Sequence, residues 1–281
     1  MISILFGLLT AAFFAVGTLC SSRTVRMVGP LSSISGMMVV GLIVITPVVF
    51  IGGIPENLDA VTASWLIVGG MGNLLGLLLA YAAFRIGKVG VVAPILCTEG
   101  AIAAVISAVA GESIAPIVIF LLLLIVGGVV LAAIAPDPEP VAHEQPLNAA
   151  LLASVGALVF GIGLYATGQI SGDLPIAWIL LPARVVTVVC IAIPLLFMGK
   201  LRMTKQAAPL VVLTGFAEIF GYGAYTIGAA HSVAITAVLA SLFAPFSAVA
   251  AYLLFRERLG RMQISAVAVI VTGVVALTVL G

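Results

Sequence analysis

Residues 114–134 read IAPIVIFLLLLIVGGVVLAAI, a run of 21 positions without a single charged or hydrogen-bonding side chain. An α-helix of about 20 such residues crosses the roughly 30 Å hydrocarbon core of a bilayer. The same character extends over the whole chain of 281 residues, of which 63% are hydrophobic and 7% are charged. A soluble domain has about a quarter of its residues charged, because its surface must be hydrated. The sequence therefore predicts an integral membrane protein.

Composition and motifs also exclude several classes of function. A formal net charge of +1 without any basic run excludes nucleic-acid binding. The chain has no Walker motif for ATP, and it lacks the His-Glu-x-x-His, Gly-x-Gly-Asp and Gly-x-Ser-x-Gly patterns of enzymes. Cys20, Cys97 and Cys190 lie in apolar segments without metal-ligand spacing, and we interpret each as a small core residue.

Charges, prolines and polar clusters divide the chain into ten apolar segments, each of which we predict to be a transmembrane helix. Their predicted bounds are 2–20, 30–51, 63–84, 89–110, 114–134, 148–169, 175–198, 207–229, 232–254 and 262–280. The long connection at 135–147 reads APDPEPVAHEQPL, and its four prolines predict an extended, solvated linker. The predicted fold is therefore all-α, with five helices in residues 1–134 and five in residues 148–281.

The two halves resemble each other at an offset of about 145 residues. Phe14 and Gly17 match Phe160 and Gly163, and the segment IVGGVV at 125–130 matches IVTGVV at 270–275. Because each half has an odd number of helices, the second half must enter the membrane in the opposite orientation. Inverted repeats of this kind are typical of secondary transporters, whose site lies at mid-membrane between the repeats. The alternative is a duplication with a structural role alone.

The last two predicted helices of each half are joined by GESI at 111–114 and by FRERLGRMQ at 255–263. Ten helices in two five-helix repeats with these connections resemble the EamA-like branch of the drug/metabolite transporter superfamily. The resemblance covers the whole chain. It implies a carrier that exports or exchanges small metabolites, often amino acids, without a bound cofactor. Many members of this family are drawn with both termini in the cytoplasm.

The basic residues of this chain favour the opposite orientation. Ten of the eleven Lys and Arg residues follow predicted helices 1, 3, 5, 7 and 9, whereas the loops on the other face have none. The ten are Arg23, Arg26, Arg85, Lys88, Lys200, Arg202, Lys205, Arg256, Arg258 and Arg261. The positive-inside rule places this basic face and the linker in the cytoplasm of a plasma-membrane protein, with both termini outside.

Three charged residues, Glu99, Arg184 and Glu218, lie deep within predicted helices. A charge at the bilayer centre costs about 2.5–3.5 kcal/mol on the insertion scale, so each must face protein or water. We therefore predict that they belong to a substrate-binding or coupling site. The alternative is a buried structural pair of Arg184 with one of the two glutamates.

Glu218 has the strongest sequence context of the three. It shares one helical face with Gly215, Tyr222 and Tyr225, a combination that suits a cavity wall, although the tyrosines could also be plain core residues. At the offset of 145 its counterpart is Asn73, within the glycine-rich stretch GGMGNLLG at 69–76. We predict one polar chamber at mid-depth that contains Glu218, Arg184, Glu99, Asn73 and Tyr222.

These residues predict a secondary transporter that moves small polar metabolites, amino acids or related zwitterions, by alternating access. Arg184 would bind a carboxylate, and Glu218 or Glu99 would bind an amine or carry a proton. The alternative is proton-coupled efflux of cationic drugs or quaternary amines, which tolerates Arg184 only if an acid neutralises it permanently. A membrane scaffold without transport activity would leave the buried charges without a role. The expected partners are a small-molecule substrate, protons and the lipid bilayer.

Overall fold

The structure is a computed structural model that describes residues 1–87, 89–134, 145–243 and 245–247, with seven further positions between 262 and 276. These residues are helical apart from short connections, and they contain no β-strand. Six of the described helices are long and apolar enough to cross a membrane, judged by length and composition. The prediction of an all-α membrane protein is confirmed at this level.

The first half of the chain forms α1 (Ile2–Val28), α2 (Pro30–Gly52), α3 (Ala60–Ile86), α4 (Val89–Leu96), α5 (Thr98–Val109) and α6 (Pro116–Ile134). The second half forms α7 (Pro146–Gln169), α8 (Ile176–Thr187), a π-helical turn (Val188–Ala192), α9 (Ile193–Phe197), α10 (Ala207–Ala229) and α11 (Val233–Ala240). The segment from α8 to α9 is continuous and corresponds to the predicted span 175–198.

Two predicted boundaries were wrong. The first helix extends from the predicted end at residue 20 to Val28, because Arg23 and Arg26 lie within its last turns. Long basic side chains reach the membrane surface from such positions and do not end a helix. Pro146 and Leu147, assigned to the linker, belong to α7, because proline at the first helical position leaves no backbone donor unpaired.

The rest of the linker, residues 135–144, lies outside the described residues. The same is true of the end of the ninth predicted span, the connection at 255–263 apart from Met262, and most of the tenth span at 262–280. The count of ten helices therefore stays a prediction over this part of the chain. The positions that are described there, among them Ser265 and Thr272, are helical.

The fourth and ninth spans, predicted as continuous helices, are interrupted at mid-length. The fourth breaks at Cys97, where the Thr98 hydroxyl donates to the carbonyl of Ile95 at 2.7 Å. The ninth breaks after Ala240, and helix resumes at Phe243. Each break has a proline nearby, Pro94 or Pro245, which cannot donate a backbone hydrogen bond to the preceding turn. Interrupted spans leave backbone groups at membrane depth, which is tolerated where protein or a water-filled cavity surrounds them.

Small residues bring the two halves into close contact. α3 packs along α7, and α1 packs along α10, in the two most extensive helix pairs of the described chain. A Cβ atom added to Gly72 would lie 2.6 Å from the Cα atom of Gly163, which is too close for any side chain. Helices in lipid associate through such small residues, because burial of apolar surface gives no driving force there.

Substitution of Gly72 by alanine tests this packing. We expect Gly72→Ala to lower the melting temperature of the purified protein in detergent, because overpacking of a tight interface costs about 1–3 kcal/mol. Gly127→Ala in α6 is the matched control, since a Cβ atom there would have no neighbour within 4 Å. An equal effect of the two substitutions would contradict the close approach of α3 and α7.

Candidate functional site

Arg184 of α8 and Glu218 of α10 form a buried ion pair. Nη2 of Arg184 donates to Oε2 of Glu218, and Nη1 donates to the carbonyl of Leu180 at 2.6 Å. Arg184 is 1% exposed and Glu218 is 8% exposed. Gly41 of α2 leaves room for the guanidinium, because a Cβ atom at that position would lie 3.0 Å from Nε of Arg184. Of the two predicted alternatives for Arg184, pairing with Glu99 or with Glu218, the structure contains the pair with Glu218.

Asn73 completes the surroundings of the Glu218 carboxylate. Its Nδ2 atom donates to Oε1 of Glu218 at 3.3 Å, so each carboxylate oxygen accepts a hydrogen bond from a different helix. The two residues predicted to correspond at an offset of 145 therefore contact each other directly. Hydrogen bonds of this kind, together with the ion pair, fix the carboxylate between α3, α8 and α10.

A cavity adjoins these residues. Asn73, Glu99, Glu218 and Tyr222 line it, and Arg184 reaches it only through Glu218. Six aromatic side chains contribute to its wall: Phe14, Tyr81, Phe84, Phe160, Tyr222 and Phe243. None of the described residues that line the cavity is Lys, Arg or His. The described wall is therefore acidic and aromatic.

Glu99 lies in the first turn of α5, directly after the break in the fourth span. It is 5% exposed, and no hydrogen bond or ion pair connects its carboxylate to another described residue. The positive end of the α5 dipole favours a carboxylate at this position. The next residue, Gly100, lies against the carbonyl of Ala237, where the two interrupted spans cross. Within the described residues, no group of three His, Cys, Asp or Glu side chains could hold a metal ion.

The cavity extends from mid-depth towards the basic face. Ser21, Tyr81 and Phe84 line it and lie in the last turns of α1 and α3, close in sequence to Arg23 and Arg85. Further residues of the wall on this side come from α2, α4 and the start of α10.

A contact that the sequence did not reveal joins the two halves on the face opposite the basic face. The Glu112 carboxylate accepts a hydrogen bond from the Ser232 hydroxyl at 2.5 Å and another from the Ala234 N–H at 3.3 Å. Ser232 also caps the start of α11 by accepting from the N–H of Ile235. We call this contact the Glu112 latch. Serine as a helix N-cap was readable from the sequence, but its partner lies 120 residues away in the chain.

Part of the chain matches a known protein family. Residues 1–134 match the EamA-like transporter family. The matched residues contain α1 to α6. The EamA-like family is part of the drug/metabolite transporter superfamily, so the family predicted from the sequence is confirmed. Members of this family are membrane transporters, and the six long apolar helices described above agree with a multi-pass membrane protein.

Solved structures extend the likeness in fold to the whole chain. They include 29 matching chains, one of which is described as "Crystal structure of protein". This structure superposes with a TM-score of 0.76 at 17% identity, over 99% of this chain and 96% of that one. At such an identity the match shows the fold alone. No curated protein matches the chain.

Removal of one partner from the ion pair tests its energetic role. We expect Glu218→Leu to destabilise the protein by about 3–5 kcal/mol, because it leaves Arg184 buried without a counter-charge. The double variant Arg184→Met with Glu218→Leu should recover most of this loss, since no charge then remains buried. Thermal unfolding in detergent measures both effects, with Glu56→Leu in an exposed loop as the control. A double variant as unstable as the single one would show that the pair is not the cause.

Proposed function

We propose that the protein is a secondary transporter that moves small organic cations through this cavity by alternating access. The charge of the cavity carries the proposal. Two carboxylates line it, and within the described structure only Glu218 is neutralised by a basic residue. An unpaired buried charge is unfavourable, so a positively charged group that enters the cavity is stabilised by Glu99.

The aromatic wall supports the same class of substrate. Aromatic faces attract cations through the ring quadrupole and also provide apolar surface for the rest of an organic molecule. Tyr222 contacts Phe14 with ring centroids 5.9 Å apart, and Phe14 contacts Phe243 at 6.5 Å, so the rings form a continuous surface. A small inorganic cation would make no use of this surface.

Amino acids and related zwitterions are the second candidate. Their carboxylate needs a basic partner, and Nε of Arg184 is a buried donor without a hydrogen-bond partner among the described residues. However, the guanidinium already bonds to Glu218 and to the carbonyl of Leu180, so a zwitterion would have to break this pair. A cation can bind without breaking this pair. Because Glu218 neutralises Arg184 in the pair, a cationic substrate near it is not repelled.

Alternating access rests on the proposal that the halves are inverted repeats. Reciprocal contacts support this proposal. The ring of Phe160 occupies the space that a Cβ atom on Gly76 would need, and the ring of Phe14 occupies the space that a Cβ atom on Gly221 would need. Phe14 and Phe160, and likewise Gly76 and Gly221, are related by an offset of 145 or 146 residues. The breaks at Cys97 and after Ala240 also fall at matching positions of the fourth and ninth spans.

The proposed symmetry axis passes through the site. Two residues that correspond between repeats touch each other only next to the axis that relates the repeats. Asn73 and Glu218 correspond and are hydrogen bonded, so the axis runs between them. A rocking motion of one repeat against the other then exposes the same residues alternately to the two faces.

A proton is the proposed coupling ion. When no substrate is bound, a proton on Glu99 removes the unpaired charge from the cavity. When a cationic substrate binds, that proton leaves, so one positive charge replaces another. With the basic face in the cytoplasm, the open side of the cavity takes up substrate from the cytoplasm, and the Glu112 latch closes the other side.

Substitution of Glu99 tests cation transport. We expect Glu99→Gln to lower proton-driven uptake of 2-phenylethylammonium into proteoliposomes by at least about tenfold, because the substrate loses its only unpaired counter-charge in the described cavity. Addition of the same compound to purified protein in weak buffer should release protons from the wild type and not from the variant. Glu56→Gln, an acid in an exposed loop, should behave like the wild type. Unchanged uptake and proton release in Glu99→Gln would refute the proposed role.

The Glu112 latch generates a separate prediction. We expect Glu112→Ala to favour opening towards the face of the termini, because Ser232 and Ala234 lose their partner in the other half. A cysteine at the cavity position Leu164, in a protein without other cysteines, should then react faster with an impermeant maleimide added on that face. Glu56→Ala, on the same predicted face, serves as the control. Equal labelling rates with and without Glu112 would show that the latch does not hold this side closed.

A further inference from the structure

Two oxygen atoms at the site lack a hydrogen bond. They are Oδ1 of Asn73 and the hydroxyl oxygen of Tyr222, and both are buried without a partner among the described residues. The two residues line the cavity and are 3% and 5% exposed. Buried polar groups are nearly always hydrogen bonded, so each exception requires a physical explanation.

The surrounding structure holds the Asn73 oxygen in the role of an acceptor. Its amide nitrogen donates to Glu218, whose other oxygen is bound to Arg184. Rotation of the amide would turn the carbonyl oxygen towards the carboxylate and replace this hydrogen bond with repulsion. An amide carbonyl accepts hydrogen bonds and cannot donate them. Oδ1 of Asn73 therefore needs a donor from outside the ion pair, which the neighbouring Tyr222 hydroxyl or a group that enters the cavity can supply.

Tyr222 is held beside Asn73 by its ring contacts. The ring packs between Phe14, at a centroid distance of 5.9 Å, and Tyr225, at 6.0 Å. Tyr225, one turn further along α10, differs in that its hydroxyl donates to the carbonyl of Leu164 at 2.8 Å. The unused hydroxyl of Tyr222 is thus a property of its place in the cavity wall and not of buried tyrosines in this helix.

Glu99 adds a third acceptor on another helix that lines the same cavity. We propose that these three groups bind an ammonium group that carries N–H donors, so that the substrates are primary or secondary amines and not quaternary ammonium compounds. The inference rests on the proposed transport of organic cations and narrows its substrate class. A protonated amine supplies a counter-charge for the Glu99 carboxylate. It also supplies N–H donors for the oxygens of Asn73 and Tyr222. A quaternary ammonium ion supplies the charge alone and can donate a hydrogen bond to none of the three groups.

A matched pair of compounds tests the inference. 2-Phenylethylammonium and trimethyl(2-phenylethyl)ammonium share the charge and the aromatic ring, and only the first has N–H donors. We expect the primary amine to stabilise the purified protein against thermal unfolding at concentrations at least about tenfold lower, because hydrogen bonds to charged groups contribute strongly to binding. Uptake into proteoliposomes should show the same order.

Tyr222→Phe removes the proposed acceptor and keeps the ring. We expect this variant to reduce the preference for the primary amine several-fold, mainly by weakening its binding. Tyr225→Phe is the matched control on the same helix, because the hydroxyl that it loses is already bonded to Leu164. It should lower stability and leave the ratio between the two compounds unchanged.

The outcomes separate this inference from the proposed function. If wild-type protein binds and transports both compounds equally well, or prefers the quaternary one, the inference is wrong and organic-cation transport stands. If neither compound binds, both are wrong. A ratio that Tyr222→Phe leaves unchanged would also overturn the assignment of the site.

Discussion

A guanidinium that is 1% exposed within apolar helices can exist only with a counter-charge, and this requirement organises the centre of the molecule. Arg184 takes Glu218 as its partner, and the pair connects α8 to α10. Asn73 then binds the remaining oxygen of the carboxylate, which adds α3. The room for the guanidinium comes from Gly41 of α2. Four helices therefore meet at this ion pair, and the orientation of the Asn73 amide follows from it.

Because of this pairing, the two buried acids have different surroundings. Glu218 is occupied by Arg184 and Asn73, so it shapes the site, whereas Glu99 is left as the acid that a substrate or proton can neutralise. In the proposed function, this difference lets a basic residue and a cationic substrate coexist at one depth of the membrane. The inferred preference for primary and secondary amines rests on the aromatic rings and on the buried oxygens of Asn73 and Tyr222.

Composition predicted the six long apolar helices well, because a long apolar run has few alternatives to a helix in lipid. The end of α1 was wrong because charge was taken as a boundary, and the breaks in the fourth and ninth spans depend on how those spans cross. The offset of 145 did predict that Asn73 and Glu218 correspond, but a sequence without coordinates could not decide which acid pairs with Arg184. The Glu112 latch was invisible for the same reason, since its partners are 120 residues apart.

Identical halves could not build the contact between Asn73 and Glu218. On a twofold axis each residue faces its own copy, so a symmetric pair of glutamates would hold two like charges about 3.3 Å apart, the distance of the present hydrogen bond. A symmetric pair of asparagines would offer no counter-charge to Arg184. Once two copies are joined in one chain, the two positions can diverge, with a donor on one side and an acid on the other. Divergence of the two halves in sequence is what permits an asymmetric charge beside the proposed axis.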